Sequence, residues 1–91
     1  MKVRVSDEVK TFLYSLAPEP RQKLKRALKN TPPQPLEGDL EGFWKIRSGK
    51  FRVLCHIEAD TLTALYANYR STVYEIATAS LLEDILKQSK D

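Results

Sequence analysis

The N-terminal third of the chain has the hydrophobic spacing of two short helices that follow one short strand. Residues 3–6 are predicted as the strand, and Ser6 can cap the helix that comes next. Apolar residues then recur three and four positions apart, which predicts an amphipathic helix over residues 7–17. Two prolines end it, and a second helix is predicted over residues 20–29, because proline suits a first helical turn.

The second half of the chain changes from helical spacing to the alternation of β-strands. Residues 43–47 alternate between apolar and basic side chains, and residues 48–50 form a turn. Residues 51–58 and 61–69 are predicted as two further strands joined by a second turn. Contiguous apolar residues in the last strand indicate a central strand that is covered on both faces.

The segments that flank these strands are a proline-rich connector and a C-terminal helix. Three prolines among residues 30–35 exclude a continued helix, residues 70–74 leave the sheet, and residues 81–91 contain a last helix. The order β-α-α-β-β-β-α predicts an α+β fold: a small antiparallel sheet with two N-terminal helices packed on one face and a C-terminal helix. A chain of 91 residues is expected to form a single domain over residues 1–91.

Basic residues are concentrated in two short segments, although the net charge of the chain is only +3. Nine of the 15 Lys and Arg residues fall in these segments, and neither segment contains an acidic residue. Such clustering makes a local positive field, which favours binding of a polyanion. The second helix contributes Arg21, Lys23, Lys25, Arg26 and Lys29, and the hairpin contributes Lys45, Arg47, Lys50 and Arg52.

Several of these side chains are predicted to bind RNA rather than to react with it. The basic face of the second helix is either a solvated surface or an RNA contact, and Lys50 belongs to the same RNA-binding set. Phe43 is the candidate for stacking on a base, because strand alternation puts Trp44 in the core. Cys55 is predicted to be a core residue, and His56 has either a catalytic or a purely structural role.

The composition excludes several classes of site. One cysteine and one histidine can form neither an internal disulfide nor a structural zinc site, and no cofactor is expected. The sequence lacks an apolar signal region and any stretch long enough to span a membrane. We therefore expect a cytoplasmic protein with no membrane partner.

The basic hairpin and the end of the third strand together predict a reactive sheet face. Lys45 and Arg47 lie two residues apart and so share a face, and Arg52 on the next strand points the same way. Arg70 and Tyr74 arrive at the end of the third strand. Cations can stabilise the extra charge of a phosphodiester transition state, and they favour the phenolate form of a nearby tyrosine, which could then act as a general base. The expected reaction is metal-independent attack of a ribose 2′-hydroxyl on the adjacent phosphate.

Two motifs resemble the RelE/ParE superfamily of toxins. The run from Trp44 to Leu54 is similar to the central hairpin of that superfamily, in which a basic strand, a Gly turn and an aromatic-Arg pair recur. The segment 68–74 resembles a later segment in which an Arg is followed four residues on by a Tyr, a feature of the RelE branch. The resemblance extends over nearly the whole chain.

The resemblance implies an activity, a partner and a role for each site residue. RelE-like toxins enter the ribosomal A site and cut messenger RNA, leaving a 2′,3′-cyclic phosphate, and a co-expressed antitoxin wraps and inactivates them. By position, Tyr74 would be the base or a stacking platform, and Arg70 would act at the leaving 5′-oxygen. Arg52 and Lys45 would stabilise the phosphate charge, and Arg47 would hold the RNA backbone.

Two other functions remain open at the level of sequence. The ParE branch shares the hairpin and its arginines, but it acts on DNA gyrase without cutting RNA. The chain could also be a non-toxic RNA-binding module, because its net charge is low for a protein that docks on ribosomal RNA. The expected partners are accordingly a cognate antitoxin, the ribosome and messenger RNA.

Overall fold

The structure, a computed structural model, describes residues 1–88, which form one sheet and four α-helices. The predicted helices and strands are all present, and residues 34–35 and 70–76 form a further strand and a further helix that were not predicted. In chain order the elements are β1 (Lys2–Val5), α1 (Asp7–Ser15), α2 (Pro18–Asn30), β2 (Gln34–Pro35), a 3-10 turn (Gly38–Leu40), β3 (Trp44–Ser48), β4 (Phe51–Glu58), β5 (Thr61–Tyr69), α3 (Arg70–Ile76) and α4 (Ala79–Gln88). Residues 89–91 of the predicted last helix lie outside the described residues.

The five strands of the described chain form one sheet in the order β1-β5-β4-β3-β2. Strands β3, β4 and β5 pair antiparallel, as predicted, and the unpredicted β2 pairs antiparallel with β3. The prediction of a wholly antiparallel sheet is wrong for β1, which lies parallel to β5. The parallel orientation of β1 could not be predicted from the sequence, because β1 and β5 are not joined by a short turn. Only strands joined by a short turn must pair antiparallel. The predicted α+β class is confirmed. No helix within residues 1–88 is long and apolar enough to cross a membrane.

Helices α1 and α2 pack against one side of the sheet, which we call the N-terminal-helix face. The Ser6 hydroxyl accepts a hydrogen bond from the Val9 N–H at 3.2 Å and donates one to the Leu65 carbonyl at 2.7 Å. This cap therefore starts α1 and also ties it to β5. The buried core of this face comprises Val9, Leu13, Leu16, Leu24, Leu28, Ile46, Phe51, Val53, Cys55, Leu62, Ala64 and Ala67.

Helices α3 and α4 pack against the opposite side, which we call the C-terminal-helix face. The sheet is thus covered on both sides, and α3 follows β5 without an intervening loop. Residues 70–74 do leave the sheet as predicted, but they do so as a helix of seven residues, too short for a clear periodic signal. The buried core here comprises Phe43, Leu54, Leu65, Val73, Ala77, Leu82 and Ile85.

A β-bulge in β5 explains the contiguous apolar residues of that strand. Leu54 pairs with Tyr66 while its neighbour Cys55 pairs with Ala64, so Leu65 is an extra residue. Leu65 and Tyr66 both pack against the C-terminal-helix face, whereas Ala64 and Ala67 belong to the core of the other face. Strand β5 is therefore an inner strand covered on both faces, as predicted.

Candidate nucleic-acid interface

The turn between β3 and β4 gathers the basic residues of the hairpin at one end of the sheet. Arg47 lies directly opposite Arg52 in the antiparallel pairing, and Lys45 is two residues earlier on the same face of β3. Gly49 makes the tight turn possible, because its φ of +57° lies in the left-handed region. The structure thus places Lys45, Arg47 and Arg52 on the C-terminal-helix face, close to the turn.

Arg52 is a buried cation with only neutral hydrogen-bond partners. Its side chain is 7% exposed, and its Nη1 donates to the carbonyls of Gly49 at 2.8 Å and Phe51 at 2.7 Å. Its two cross-strand neighbours are Arg47 and Asn68, neither of which is acidic. Within residues 1–88, no ion pair joins Arg47 or Arg52 to a carboxylate. A buried, uncompensated positive charge is costly, so this position favours an anion from outside the chain.

Arg70 and Tyr74 join this group through the start of α3. The Arg70 backbone N–H donates to the Lys50 carbonyl at 2.8 Å, which fixes the first residue of α3 against the hairpin turn. Tyr74 lies one helical turn later, on the same side of α3 as Arg70, and its ring is 45% exposed. Arg47, Arg52 and Arg70 therefore lie at the hairpin end of the sheet, with Lys45 two residues away along β3 and Tyr74 one helical turn further along α3.

Two polar residues of β5 on this face, Tyr66 and Asn68, were not predicted as site residues. Asn68 lies directly opposite Arg52, its Nδ2 donates to the Tyr66 hydroxyl at 3.1 Å, and its Oδ1 accepts the Tyr69 N–H at 2.8 Å. Strict alternation from Leu62 would place both side chains on the N-terminal-helix face. The bulge moves both side chains to the C-terminal-helix face, and nothing in the local sequence indicates that a bulge is present.

Phe43 and His56 do not belong to the basic group. Phe43 is only 6% exposed and packs with α3 and α4, so the prediction that it stacks on a base is wrong. Its ring meets the His56 imidazole edge-on at 6.2 Å. His56 shares the face of Arg52, but it lies four residues further along β4, about 13 Å away. The buried side chain of Leu54 lies between them.

Arg21, which was predicted as an RNA contact, has a structural role between α1 and α2. Its Nε donates to the Leu13 carbonyl at 3.0 Å and its Nη2 donates to the Leu16 carbonyl at 2.8 Å. The Leu13 carbonyl also accepts the Leu16 N–H at 3.1 Å, and Leu16 is the C-cap residue of α1, so Arg21 binds at the C-terminal end of this helix. Arg21 therefore caps α1 and holds α2 against it.

The other basic residues of α2 remain at the surface and form two groups. Lys23 and Arg26 line a groove of about 450 Å³ together with Arg47 and the turn residue Gly49. Lys25 and Lys29 are exposed but do not line this groove. Lys50 lies at the turn, with its Nζ 5.7 Å from the ring centroids of Phe51 and Tyr69.

Cys55 is a core residue, as predicted, and not a nucleophile. The side chain is fully buried, and desolvation raises the pKa of its thiol from 9.0 to about 12. The reactive thiolate is therefore scarce at neutral pH. No group of three or more His, Cys, Asp or Glu side chains in residues 1–88 is placed to hold a metal ion.

The described fold is a small α+β fold with helices on both sides of one sheet. Solved structures of similar fold include three that contain toxins. The toxin–antitoxin complex RelBE2 of Mycobacterium tuberculosis has a TM-score of 0.67 and 22% identity over 77% of this chain and 91% of that chain. A YoeB/ParE toxin from Agrobacterium tumefaciens has a TM-score of 0.55 and 23% identity over 77% of this chain and 99% of that chain.

A copper-bound mutant toxin from Helicobacter pylori has a TM-score of 0.54 and 15% identity over 80% of this chain and 98% of that chain. No protein-family model and no curated protein sequence matches the chain. The chain therefore has the fold of RelE/ParE-type toxins, as the hairpin resemblance predicted. The arrangement of cations on that fold, rather than sequence identity, carries the argument about activity.

Proposed function

We propose that this chain is the toxin of a type II toxin–antitoxin system and that it is a ribosome-dependent endoribonuclease. It inhibits translation by cutting messenger RNA in the ribosomal A site. The observation that carries the proposal is the Arg47–Arg52 pair, two cations directly opposite each other with no carboxylate paired to either within residues 1–88. Like charges opposite each other destabilise a sheet, and a bound phosphate would relieve the repulsion.

The proposed reaction is an attack of the ribose 2′-oxygen on the adjacent phosphorus, without a metal ion. Tyr74 takes the 2′-hydroxyl proton, the new 2′-O–P bond forms, and the bond from phosphorus to the 5′-oxygen breaks. Arg70 donates hydrogen bonds to the leaving 5′-oxygen and stabilises its negative charge, and that oxygen takes its proton from water. Arg52 and Lys45 stabilise the charge that accumulates on the phosphoryl oxygens, and the products are a 2′,3′-cyclic phosphate and a 5′-hydroxyl.

The turn contacts of Arg52 support its assigned role. Both bonds to the Gly49 and Phe51 carbonyls come from Nη1, so they hold the guanidinium and leave the donors on Nη2 and Nε outside these contacts. A donor that is already fixed needs little reorganisation when charge develops on the phosphate. Arg47 is exposed, and it is assigned to the RNA backbone beside the reacting phosphate.

The proposed partners are a cognate antitoxin, the ribosome and messenger RNA, all in the cytoplasm. An antitoxin is supported by the solved structure of similar fold that is a toxin–antitoxin complex. An unrestrained ribonuclease would also arrest its own host, so the activity requires an inhibitor. Lys23 and Arg26 beside Arg47 offer a surface for ribosomal RNA, with Lys25 and Lys29 further along α2.

Induction of Tyr74→Phe and Arg70→Ala beside the wild type tests the proposed function. Wild type should arrest growth with messenger-RNA cuts inside translated codons, and each variant should cleave about 10²- to 10⁴-fold more slowly, because Tyr74→Phe lacks the general base and Arg70→Ala lacks the cation at the leaving oxygen. The measurement is primer extension on a translated message, with rates from purified programmed ribosomes. Tyr14→Phe is the matched control, because it removes a hydroxyl from an exposed tyrosine on α1.

Inhibition of DNA gyrase is the second candidate function, because one structure of the same fold is described as a YoeB/ParE toxin. In that case growth stops while messages stay intact, DNA is damaged, and Tyr74→Phe remains toxic. A chain that does not arrest growth would instead be a non-toxic RNA-binding module. Intact messages after growth arrest would overturn the ribonuclease assignment.

A further inference from the structure

Tyr69 presents a fixed aromatic ring at the end of β5. The ring is 43% exposed, and its centroid lies 5.3 Å from that of Phe51 and 6.1 Å from that of Phe12. Phe12 and Phe51 in turn meet edge-on at 5.5 Å. Three aromatic side chains from α1, β4 and β5 therefore hold one another, and the exposed ring has little freedom to lose when a ligand binds.

One cation lies beside this ring, and a second follows it in the chain. The Lys50 Nζ is 5.7 Å from the ring centroid, within the range of a cation–π contact. Arg70 follows Tyr69 directly, and its backbone N–H is bonded to the Lys50 carbonyl at 2.8 Å. The backbone of Lys50, Tyr69 and Arg70 is thus held together at the junction between the hairpin turn and α3, and the exposed side chains of both cations start from this junction.

We propose that Tyr69 is the platform on which an unpaired RNA base stacks, while Lys50 and Arg70 contact the phosphates that flank that base. The inference rests on the proposed function, since it requires RNA that passes round this end of the sheet: Tyr69 lies on the N-terminal-helix face beside Phe51, and Arg52 lies on the other face. A fixed aromatic ring with adjacent cations is the combination that binds single-stranded nucleic acid, because every base has a π-face and every nucleotide has a phosphate. This assigns to Tyr69 the stacking role that the sequence predicted for buried Phe43.

The other exposed aromatic side chains do not offer the same combination. Tyr14 is 71% exposed and has the Arg21 guanidinium 5.5 Å from its ring, but that guanidinium is bonded to the carbonyls of α1. Tyr74 is assigned to proton transfer. Tyr69 therefore provides a stacking surface whose neighbouring cations are not committed to helix capping.

A double-mutant cycle between the ring and the base tests the proposal. Ribosomes are programmed with messenger RNA that has a 2′-deoxy nucleotide at the cleavage position, so that the RNA binds but is not cut. An abasic site is then placed at each A-site codon position in turn. Tyr69→Leu should weaken binding to the intact codon by about 5- to 150-fold, the range for loss of one stacked base, and should cause no further loss at one abasic position.

Matched variants separate stacking from folding. Tyr69→Phe and Tyr69→Trp keep a π-face and should retain most of the affinity, whereas Tyr69→Leu keeps apolar bulk against Phe12 and Phe51 but has no π-face. Tyr14→Leu, on α1, should bind like the wild type. Circular dichroism melts confirm that each variant is folded at the assay temperature.

The outcomes distinguish this inference from the proposed function. If wild type cleaves programmed ribosomes and Tyr69→Leu binds equally well, the stacking role is wrong and the ribonuclease assignment stands. An equal loss on intact and abasic messages also overturns stacking, as does a loss of antitoxin binding alone, which would make the ring a protein contact. If the wild type neither binds nor cleaves, the proposed function fails and the stacking role fails with it.

Discussion

Arg52 is at once a structural residue of the hairpin and a charged residue of the candidate site. Its two bonds to turn carbonyls stabilise the bend at Gly49, and its burial beside Arg47 costs stability because no carboxylate in residues 1–88 is paired with either charge. A protein that is already folded can tolerate such a cost where it serves binding. The repulsion between the two arginines should therefore be measurable in the free protein.

Replacing Arg47 should stabilise the fold while weakening the activity. Arg47→Gln removes a like charge directly opposite Arg52, and the unfolding free energy should rise by about 0.2–1 kcal/mol. Urea denaturation measures this gain, which should shrink at high salt. Arg47→Lys keeps the charge and serves as the control, because its unfolding free energy should not rise. If Arg47→Gln is less stable than the wild type and than Arg47→Lys, the two arginines do not repel each other in the free protein.

Cys55 should make the stability of the protein fall at alkaline pH. The folded thiol has a pKa raised to about 12 by burial, whereas the exposed thiol of the unfolded chain ionises near 9.0. The folded state therefore holds its proton where the unfolded state has lost it, and this contribution to stability, complete below pH 9, is lost as pH rises towards 12. Between pH 8 and 10 the loss is about 1 kcal/mol.

Cys55→Ala isolates that contribution. Urea unfolding at pH 8 and pH 10 should show a smaller decline for the variant than for the wild type, although the variant is less stable at both pH values because a buried side chain is truncated. Lysine and tyrosine titrations affect both proteins alike. Identical declines would mean that the thiol does not titrate differently in the two states.

At the scale of elements, short junctions position the candidate site. Helices α1 and α2 are separated only by Leu16 and Ala17, and Arg21 joins them across that junction. On the other side of the sheet, β5 passes directly into α3, so the register of β5 sets where Arg70 and Tyr74 lie. The site therefore depends on strand pairing more than on any loop.

Arg21 should contribute to stability and not to RNA cleavage. Arg21→Met keeps the aliphatic stem but removes the bonds to the Leu13 and Leu16 carbonyls, so the unfolding free energy should fall by about 1–2 kcal/mol. Cleavage on programmed ribosomes should keep its wild-type rate below the unfolding temperature. Lys25→Met, an exposed cation on the same helix, is the control and should change stability by less than about 0.5 kcal/mol. A stable Arg21→Met variant with weak ribosome binding would restore the RNA-contact assignment.

At the scale of the whole molecule, the two helix layers differ in how much of the sheet they cover. Helices α1 and α2 bury residues of β3, β4 and β5 on their face, from Phe51 at the turn to Leu62. The opposite layer has its core on Leu54 and Leu65, while Arg47, Arg70 and Tyr74 stay exposed near the turn. The arrangement provides an open basic surface on an otherwise covered sheet.

Local periodicity predicted most of this molecule, and long-range pairing accounts for what it missed. The strands β4 and β5 have the predicted limits because polar turns bound their apolar runs, and the face of Lys45, Arg47 and Arg52 follows from simple alternation. The parallel pairing of β1 and the two-residue β2 depend on partners distant in sequence. The burial of Phe43 and the capping role of Arg21 depend on helices that pack from elsewhere, so neither is visible in the local pattern.

The extra residue Leu65 also determines how this chain must be aligned with others. Residues 66–69 are shifted by one position relative to a regular strand, so a relative without the bulge has its equivalent of Asn68 one residue closer to Ala64. An ungapped alignment would then compare site residues of one protein with core residues of the other. A gap at position 65 restores the correspondence, and a single-codon deletion there would remove the bulge while keeping residues 66–69 on their present faces and in their present register with β4.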